Sequence, residues 1–171
     1  MTDTRTRLRE HVYDNPGRHF NALTRALDLA PGQVQYHLRK LERRDAVVAQ
    51  RLYGKTHYYP PDSEPWERRA LALLRRETAR DVVLALLDTG PARPSTVAED
   101  VGIARSTLSY HTGRLVEQRL IEKRDDDGTM RLAVARPAAT ARLLDDIAPS
   151  LPERLLDRFT RLVDDLLEPG E

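Results

Sequence analysis

Apolar residues near the start of the chain recur at the spacing of helices. Leu8 and Val12 stand four residues apart, which places both on one face of a helix predicted over residues 5–14. The same periodicity returns in a longer helix that is expected to begin at Pro31 and to end near residue 44. The residues on its predicted buried face are Val34, Leu38 and Leu41.

Two further elements complete this part of the pattern. A short helix lies between the two longer ones, and Asn21 is its predicted N-cap. Two runs rich in apolar and aromatic residues, 47–53 and 56–60, flank a Gly54-Lys55 turn and predict a β-hairpin. The first sixty residues therefore predict three helices followed by a hairpin.

The same pattern returns at an offset of 74 residues. The stretch VQYHLRKL, which contains Tyr36 and His37, corresponds to LSYHTGRL, which contains Tyr110 and His111. The apolar positions match through the turns as well as the helices. A fixed period of this kind indicates an internal repeat of one structural unit.

Three helices followed by a two-stranded hairpin form a winged helix, in which the second and third helices are a helix-turn-helix and the hairpin is the wing. The predicted fold class is mainly α with small β-hairpins (α+β), with two tandem winged helix-turn-helix units plus C-terminal helices. The predicted domains are a first winged helix (1–61), a helical connector (62–77), a second winged helix (78–136) and a C-terminal helical segment (137–171).

Two stretches connect this pattern to a known family. The stretch ARSTLSYHTGRLVEQRLIEKR at 104–124 resembles the archaeal and bacterial ArsR/MarR-like winged helix-turn-helix transcriptional regulators, in which a Ser-Thr-apolar-Ser-x-His run opens the recognition helix. The stretch PGQVQYHLRKLERRDAVVAQRLYGKTHYY at 31–59 resembles that family as closely. The resemblance covers residues 5–135 and implies a tandem winged-helix regulator.

Charge is distributed unevenly along the chain, although the net charge is only +1. Residues 1–61 carry eleven basic and six acidic side chains, a net charge of +5. Residues 62–136 are neutral, and residues 137–171 carry a net charge of −4. The distribution favours a contact between the first unit and an anionic partner, for which double-stranded DNA is the leading candidate.

The third helix of the first unit has a polar, basic face opposite its apolar row. Arginine and lysine can reach guanine edges or phosphates, glutamine can pair with adenine, and tyrosine can donate to phosphate. A basic wing would add phosphate contacts on the other side of the groove, whereas the alternative is an ordinary solvated face. The predicted DNA-binding residues here are Gln33, Gln35, Tyr36, His37, Arg39, Lys40, Arg43, Arg51, Lys55 and His57.

The second unit departs from the first in ways that bear on DNA contact. Thr112-Gly113 stands where the first unit has Leu38-Arg39, and glycine weakens a helix by up to about 1 kcal/mol relative to alanine. Its wing carries aspartates at 125–127, which phosphates would repel. This unit therefore either contacts DNA or packs against protein. Its predicted DNA-binding residues are Arg105, Ser106, Thr107, Ser109, Tyr110, His111 and Arg114.

The histidines of the two matched stretches, His37 and His111, allow two interpretations. Each is either a half-buried residue that hydrogen-bonds the helix-turn-helix backbone or a contact to phosphate or base. Zinc ligation has little support, because His11, His19 and His57 are far apart in sequence and no HxxxH spacing occurs. No metal is predicted.

The C-terminal segment carries a wide apolar stripe on an otherwise acidic helix. This stripe either packs on the second unit of the same chain or forms a homodimer. Dimerisation is favoured, since regulators of the resembled type usually dimerise and two-fold operators require it. The predicted dimerisation residues, at 4-3-4 spacing, are Leu155, Phe159, Leu162 and Leu166.

The remaining patterns exclude several classes of function. The sequence has no cysteine and contains no GxSxG, P-loop or GxGxxG motif, so neither an enzyme nor a cofactor is predicted. No apolar run approaches the roughly 20 residues of a membrane helix, and the polar start does not resemble a signal peptide. A cytoplasmic protein without membrane contact is expected, and no effector ligand is indicated.

The leading hypothesis is a sequence-specific DNA-binding transcriptional regulator that acts as a homodimer. One alternative is a tandem winged-helix scaffold for protein interactions, which would not need a basic first unit. Another is a non-specific architectural DNA-binding protein.

Overall fold

The computed structural model describes residues 2–148, 151 and 153–168, and it leaves the side chains of residues 153–155 and 158 undescribed. The chain divides into two compact units, Met1–Ala72 and Leu73–Glu171. The first contains α1 (Thr4–Asp14), α2 (Phe20–Leu27), α3 (Pro31–Arg43), β1 (Val48–Leu52) and β2 (Lys55–Tyr59), and α4 (Pro65–Leu74) crosses the boundary. The second contains α5 (Glu77–Thr89), α6 (Pro94–Val101), α7 (Arg105–Glu117), β3 (Ile121–Asp126), β4 (Thr129–Val134), α8 (Pro137–Ile147) and α9 (Glu153–Leu167).

This element order confirms the predicted fold class. Each unit has three helices followed by an antiparallel hairpin, and the two hairpins are separate two-stranded sheets. In the first unit, α1 and α2 pack against α3. The buried residues of this core are Leu8, Val12, Leu23, Val34, Leu38, Leu41, Val47 and Tyr58.

The N-terminus of α2 differs from the sequence prediction. His19, and not Asn21, is its N-cap, and the Ala22 backbone N–H donates to His19 Nδ1 at 3.3 Å. His19 stays extended because it forms a β-bridge with His57 of the wing. The helix can therefore begin at Phe20, and Asn21 lies inside it with its side chain exposed.

The two wing turns have the same conformation. Tyr53 and Gly54 have φ angles of 48° and 82°, and Asp127 and Gly128 have φ angles of 50° and 81°. A two-residue turn with both φ angles positive matches the twist of a hairpin, and it favours glycine at the second position. The predicted Gly54-Lys55 turn is therefore wrong by one residue, and Lys55 is the first residue of β2.

Gly17 connects the helices of the first unit to its wing. Its N–H donates to the Tyr58 carbonyl at 2.9 Å, and its carbonyl oxygen lies 2.6 Å from His57 Nδ1. Gly17 has a φ of +88°, and a Cβ placed there would lie 3.0 Å from Leu71 Cβ on α4. The turn after α1 therefore needs a residue without a side chain, because α4 approaches so closely.

The apolar face of α9 packs inside the second unit. The helix contacts α8 and α5, and Phe159 and Leu162 are buried. The prediction that these two residues form a dimer interface is therefore corrected, because the single chain already covers them. Leu166 is half-buried, and the side chain of Leu155 lies outside the described residues.

Candidate nucleic-acid interface

The third helix of the first unit presents most of its predicted contact residues to solvent. Its buried row, which fixes the orientation of α3, is Val34, Leu38 and Leu41. The side chains on the remaining surface are polar or basic. Gln33, Gln35, Tyr36, Arg39 and Arg43 are exposed, while His37 and Lys40 are half-buried.

Tyr36 and Lys40 form a pair on the surface of α3. The Lys40 ammonium nitrogen lies 4.7 Å from the centre of the Tyr36 ring, which is within the range of a cation–π contact. A hydrogen bond from Lys40, followed in importance by its charge, lowers the pKa of the Tyr36 hydroxyl. The pair therefore presents a donor and a positive charge at one place on the helix.

Gln33 is already partly engaged within the chain. The Ala30 backbone N–H donates to Gln33 Oε1 at 3.4 Å, so the side-chain oxygen helps to cap α3. The amide NH2 group points its hydrogens away from that bond and can donate to an acceptor outside the protein. Gln33 is thus placed to donate to a base edge or a phosphate.

His37 lies directly against Tyr36, with the ring centres 5.1 Å apart and the planes at 75°. Its Nδ1 atom is buried and has no hydrogen-bond partner among the described residues. The histidine is half-buried, as one interpretation of the sequence expected.

The first wing is cationic at its exposed end. Arg51 and Lys55 are exposed, and neither pairs with a carboxylate in the described part of the chain. The register pairs Arg51 with Thr56 and Leu52 with Lys55. Because successive residues of a strand face opposite sides, the two cations lie on opposite faces of the hairpin.

His57 does not belong to this cationic surface. Its side chain is 1% exposed, its Nδ1 contacts the Gly17 carbonyl, and its ring packs edge-on against His19. The sequence prediction that His57 contacts DNA is therefore corrected. It faces the helices because Tyr58 and Gly17 hold this part of β2 against the turn after α1.

The third helix of the second unit has the same layout with fewer cations. Its buried residues include Leu108, Thr112 and Leu115. The Arg114 guanidinium carbon lies 4.3 Å from the centre of the Tyr110 ring, at the position equivalent to the Lys40–Tyr36 pair. The other predicted residues follow the pattern of the first unit. Arg105, Ser106, Thr107, Ser109 and Tyr110 are exposed, and His111 and Arg114 are half-buried.

His111 lies in an environment that opposes its protonation. Burial lowers the pKa of His111 below its ordinary value of 6.5, and the positive charges of Arg114 and Arg76 lower it further. The neutral imidazole is therefore favoured near neutral pH.

The second wing differs most from the first. Arg124 pairs with Glu122 at 2.7 Å, and Arg131 pairs with Asp126 at 3.0 Å. These pairs neutralise two of its cations, while the carboxylate of Asp125 receives the turn N–H of Gly128 at 2.8 Å. The result is a wing whose tip carries exposed carboxylates.

Two family matches cover most of the chain. Residues 2–71 match a family described as an N-terminal HTH domain, and residues 76–123 match the family described as bacterial regulatory protein, arsR family. The chain thus resembles the ArsR-like tandem winged-helix regulators. This confirms the resemblance seen in the two matched stretches, and it assigns the protein two helix-turn-helix domains of a transcriptional-regulator type.

The chain is also similar to a curated relative. An uncharacterized HTH-type transcriptional regulator from Methanocaldococcus jannaschii is 25% identical to it over 126 residues. The alignment covers 74% of this chain and 32% of the relative. The chain thus spans about a third of the length of the curated relative it matches.

The described residues form neither a metal site nor a membrane-spanning helix. The described side chains form no group of three or more His, Cys, Asp or Glu residues that could hold a metal ion. Among the described helices, none is both long and apolar enough to span a membrane.

The feature that sequence reasoning missed is a groove between α7 and the second wing, with a volume of about 440 Å³. Its lining includes Thr112 and Gly113. The signal in the sequence is the smaller pair Thr112-Gly113 at the positions of Leu38-Arg39. By itself, this pair indicates only a weaker helix.

Proposed function

We propose that this protein is a sequence-specific DNA-binding transcriptional regulator that acts in the cytoplasm as a homodimer. The observation that carries the proposal is the combination, within one winged helix, of an exposed basic face on α3 and an exposed cationic wing. The net charge of +5 over residues 1–61 supports it further. A protein scaffold would need neither cationic surface.

In this proposal α3 enters the major groove and supplies the contacts to bases. Arg39 is exposed on this face and can pair with guanine, while the Gln33 amide can donate to a base acceptor. Lys40 and Arg43 contact phosphates, and Tyr36 adds a hydroxyl donor. Base contacts specify the sequence, while the phosphate contacts fix the position of the helix.

The wing completes the contact with the backbone. Arg51 and Lys55 lie on two faces of one hairpin, and neither pairs with a carboxylate in the described ranges, so they can neutralise phosphates on the strand next to the groove. The second unit contributes less affinity, because two of its wing cations, Arg124 and Arg131, are paired with carboxylates.

The homodimer follows from the geometry of operators. Helix-turn-helix proteins commonly bind two half-sites as two-fold dimers. Phe159 and Leu162 are buried in the single chain, so the interface must use other surface. Light scattering over a range of protein concentrations tests the dimer, and a monomer at all concentrations would remove this part of the proposal.

Fluorescence anisotropy with a genomic duplex found by footprinting tests the function itself. Lys40→Ala and Arg43→Ala should each weaken binding and reduce the salt slope by about 0.9 per lost phosphate contact. Arg142→Ala is the matched control, because it removes one exposed charge from α8 of the second unit. A random duplex distinguishes a specific regulator from an architectural binder, which would bind both duplexes equally.

Three results would contradict the proposal in different ways. Unchanged affinity in both α3 variants would exclude this helix as the recognition element. Equal losses in Arg142→Ala would indicate a general charge effect. No retention of any duplex at moderate salt would favour the protein scaffold.

A further inference from the structure

Each unit has a groove between its third helix and its wing, and the two grooves are equivalent. The first has a volume of about 330 Å³ and is lined in part by Phe20, Gln35, Thr56 and Tyr58. The second has a volume of about 440 Å³. At the offset of 74 residues, the lining residues of the second groove that match these four are, in order, Pro94, Ser109, Met130 and Leu132.

The second groove is more apolar than the first. Met130 and Leu132 occupy the positions of Thr56 and Tyr58, and Leu108 also contributes to the lining. Met130 is 43% exposed, so much of its apolar side chain faces this groove and solvent. This groove therefore has an apolar surface that the single chain leaves uncovered.

The second groove also includes residues of the third helix that the first groove lacks. In the first unit the buried side chain of Leu38 fills the space under α3, and Arg39 follows it. In the second unit the equivalent residues, Thr112 and Gly113, line the groove, and a Cβ at Gly113 would meet no atom within 4 Å. The second groove therefore reaches Thr112 and Gly113 on α7, whereas Leu38 and Arg39 do not line the first groove.

Two cations stand at the edge of this apolar space. Arg105 from the start of α7 and Lys123 from β3 both line the groove. Both are exposed, and neither pairs with a carboxylate among the described residues. Moreover, none of the groove-lining residues is acidic, although the tip of the same wing carries three aspartates. The groove therefore combines an apolar surface with two cations and no acidic residue in its lining.

We propose that this groove of the second unit binds a small organic acid, one that has an apolar body and a single carboxylate or sulfonate. The apolar body lies against Leu108, Met130 and Leu132, and the acid group contacts both Arg105 and Lys123. A volume of about 440 Å³ lies within the range of roughly 300–1,000 Å³ that is usual for small-molecule sites.

Binding of an acid in this groove would also regulate DNA binding by the second unit. This inference rests on the proposed DNA-binding function. Arg105, Ser106 and Ser109 line the groove and are also predicted DNA contacts of the second unit. A bound acid would neutralise Arg105 and occupy the space beside these residues. The acid and the DNA backbone therefore exclude each other at the second unit.

The methionines of the protein provide a direct test of the site in the absence of DNA. The chain has two methionines, and Met130→Leu assigns the methyl signal that belongs to the groove. The full-length protein, labelled with carbon-13 at the methionine methyl groups, is titrated with anilinonaphthalene sulfonate. We expect a saturable shift of the Met130 signal and a matching rise in probe fluorescence at one probe per chain.

Two variants separate this site from non-specific binding. Gly113→Leu should weaken the affinity for the probe at least about tenfold, a change in Kd that corresponds to roughly 1.4 kcal/mol. Gly32→Leu is the matched control, because Gly32 is also a helical glycine whose Cβ would meet no atom within 4 Å, but it lies on α3 of the first unit. Lys123→Gln should weaken the sulfonate more than it weakens uncharged anilinonaphthalene.

Each outcome decides between the groove and its alternatives. Equal affinity in Gly113→Leu and Gly32→Leu, or no saturable shift of Met130, would overturn the proposal. Equal effects of Lys123→Gln on the charged and uncharged probes would overturn the choice of an acid. Circular dichroism melts of each variant are the control that tests whether the fold is retained.

A final measurement distinguishes the ligand site from the function on which its regulatory role rests. Unlabelled operator duplex is added to the protein–probe complex, and release of the probe supports mutual exclusion. Retention of the probe while DNA binds would overturn the exclusion and leave the site in place. If no duplex binds at all, the proposed function fails, whereas the Met130 titration still decides the site.

Discussion

Lys40 Nζ lies 4.7 Å from the centre of the Tyr36 ring, one turn earlier on α3. The equivalent pair in the second unit, Arg114 and Tyr110, has a distance of 4.3 Å. The repeat has therefore kept an aromatic ring and a cation four residues apart on each third helix, although the cation changed from lysine to arginine. At exposed sites such a contact contributes about 0.5–1 kcal/mol.

The Tyr36–Lys40 pair predicts different effects for two substitutions on DNA binding. Tyr36→Phe keeps the ring that orients Lys40 and removes only the hydroxyl, so it should weaken binding less than Tyr36→Ala. We expect about a two- to fivefold difference in Kd between them, on the basis of a ring contact of about 0.5–1 kcal/mol. Anisotropy titrations measure this difference, and identical affinities of the two variants would show that the ring does not orient Lys40.

Two glycines of the second unit should respond in opposite directions to alanine. Gly113 is helical and Gly128 has a φ of +81°, while a Cβ at either position would meet no atom within 4 Å. Gly113→Ala should raise the free energy of unfolding by about 0.5–1 kcal/mol. Gly128→Ala should lower it by roughly 1–2 kcal/mol, because alanine resists the left-handed conformation. Urea unfolding measures both, and a shift in the same direction would contradict the assignment of the two backbones.

Substitutions at Leu38 of α3 and at the equivalent Thr112 of α7 should change the stability of the fold by different amounts. Leu38 is 1% exposed, so Leu38→Ala should lower the free energy of unfolding by about 2–5 kcal/mol. Thr112, at the equivalent place, has a buried Oγ1 without a hydrogen-bond partner among the described residues. Thr112→Val removes this hydroxyl and should therefore leave stability unchanged or raise it by up to about 1 kcal/mol. Thermal unfolding measures both variants, and a large loss in Thr112→Val would show that the hydroxyl is bonded.

The lowered pKa of His111 predicts that the stability of the fold decreases as the pH falls below 6.5. Its pKa in the folded protein is lowered, so the unfolded chain binds more protons between that pKa and 6.5. The stability contributed by neutral His111 is complete above 6.5 and decreases as the pH falls through this window. His111→Gln should flatten this part of the profile in urea unfolding between pH 7.5 and 5, by the linkage relation.

An NMR titration of His111 provides an independent check. The midpoint should lie below 6.5, and Arg114→Gln should move it upward, because the Arg114 charge is one cause of the shift. A midpoint above 6.5 would contradict the sign of the predicted pH dependence.

The sequence alone determined the repeated unit and its helices. Apolar residues spaced at about 3.6, such as Val34, Leu38 and Leu41, can be buried together only on one side of a helix. Gly54 and Gly128 likewise mark the two wing turns, because both adopt positive φ angles. These features depend on interactions between neighbours in sequence, so the pattern of residue types was sufficient to predict them.

Contacts between segments that are distant in sequence decided the features that the sequence pattern could not predict. The burial of His57 depends on Gly17, forty residues earlier, and the N-cap role of His19 depends on its bridge to the wing. The apolar face of α9 could pack on its own chain or on another, and only its contacts with α8 and α5 decided between them. The grooves between the third helices and the wings form where a helix and a hairpin that are apart in sequence meet, so their volumes could not be predicted from the pattern of neighbouring residues.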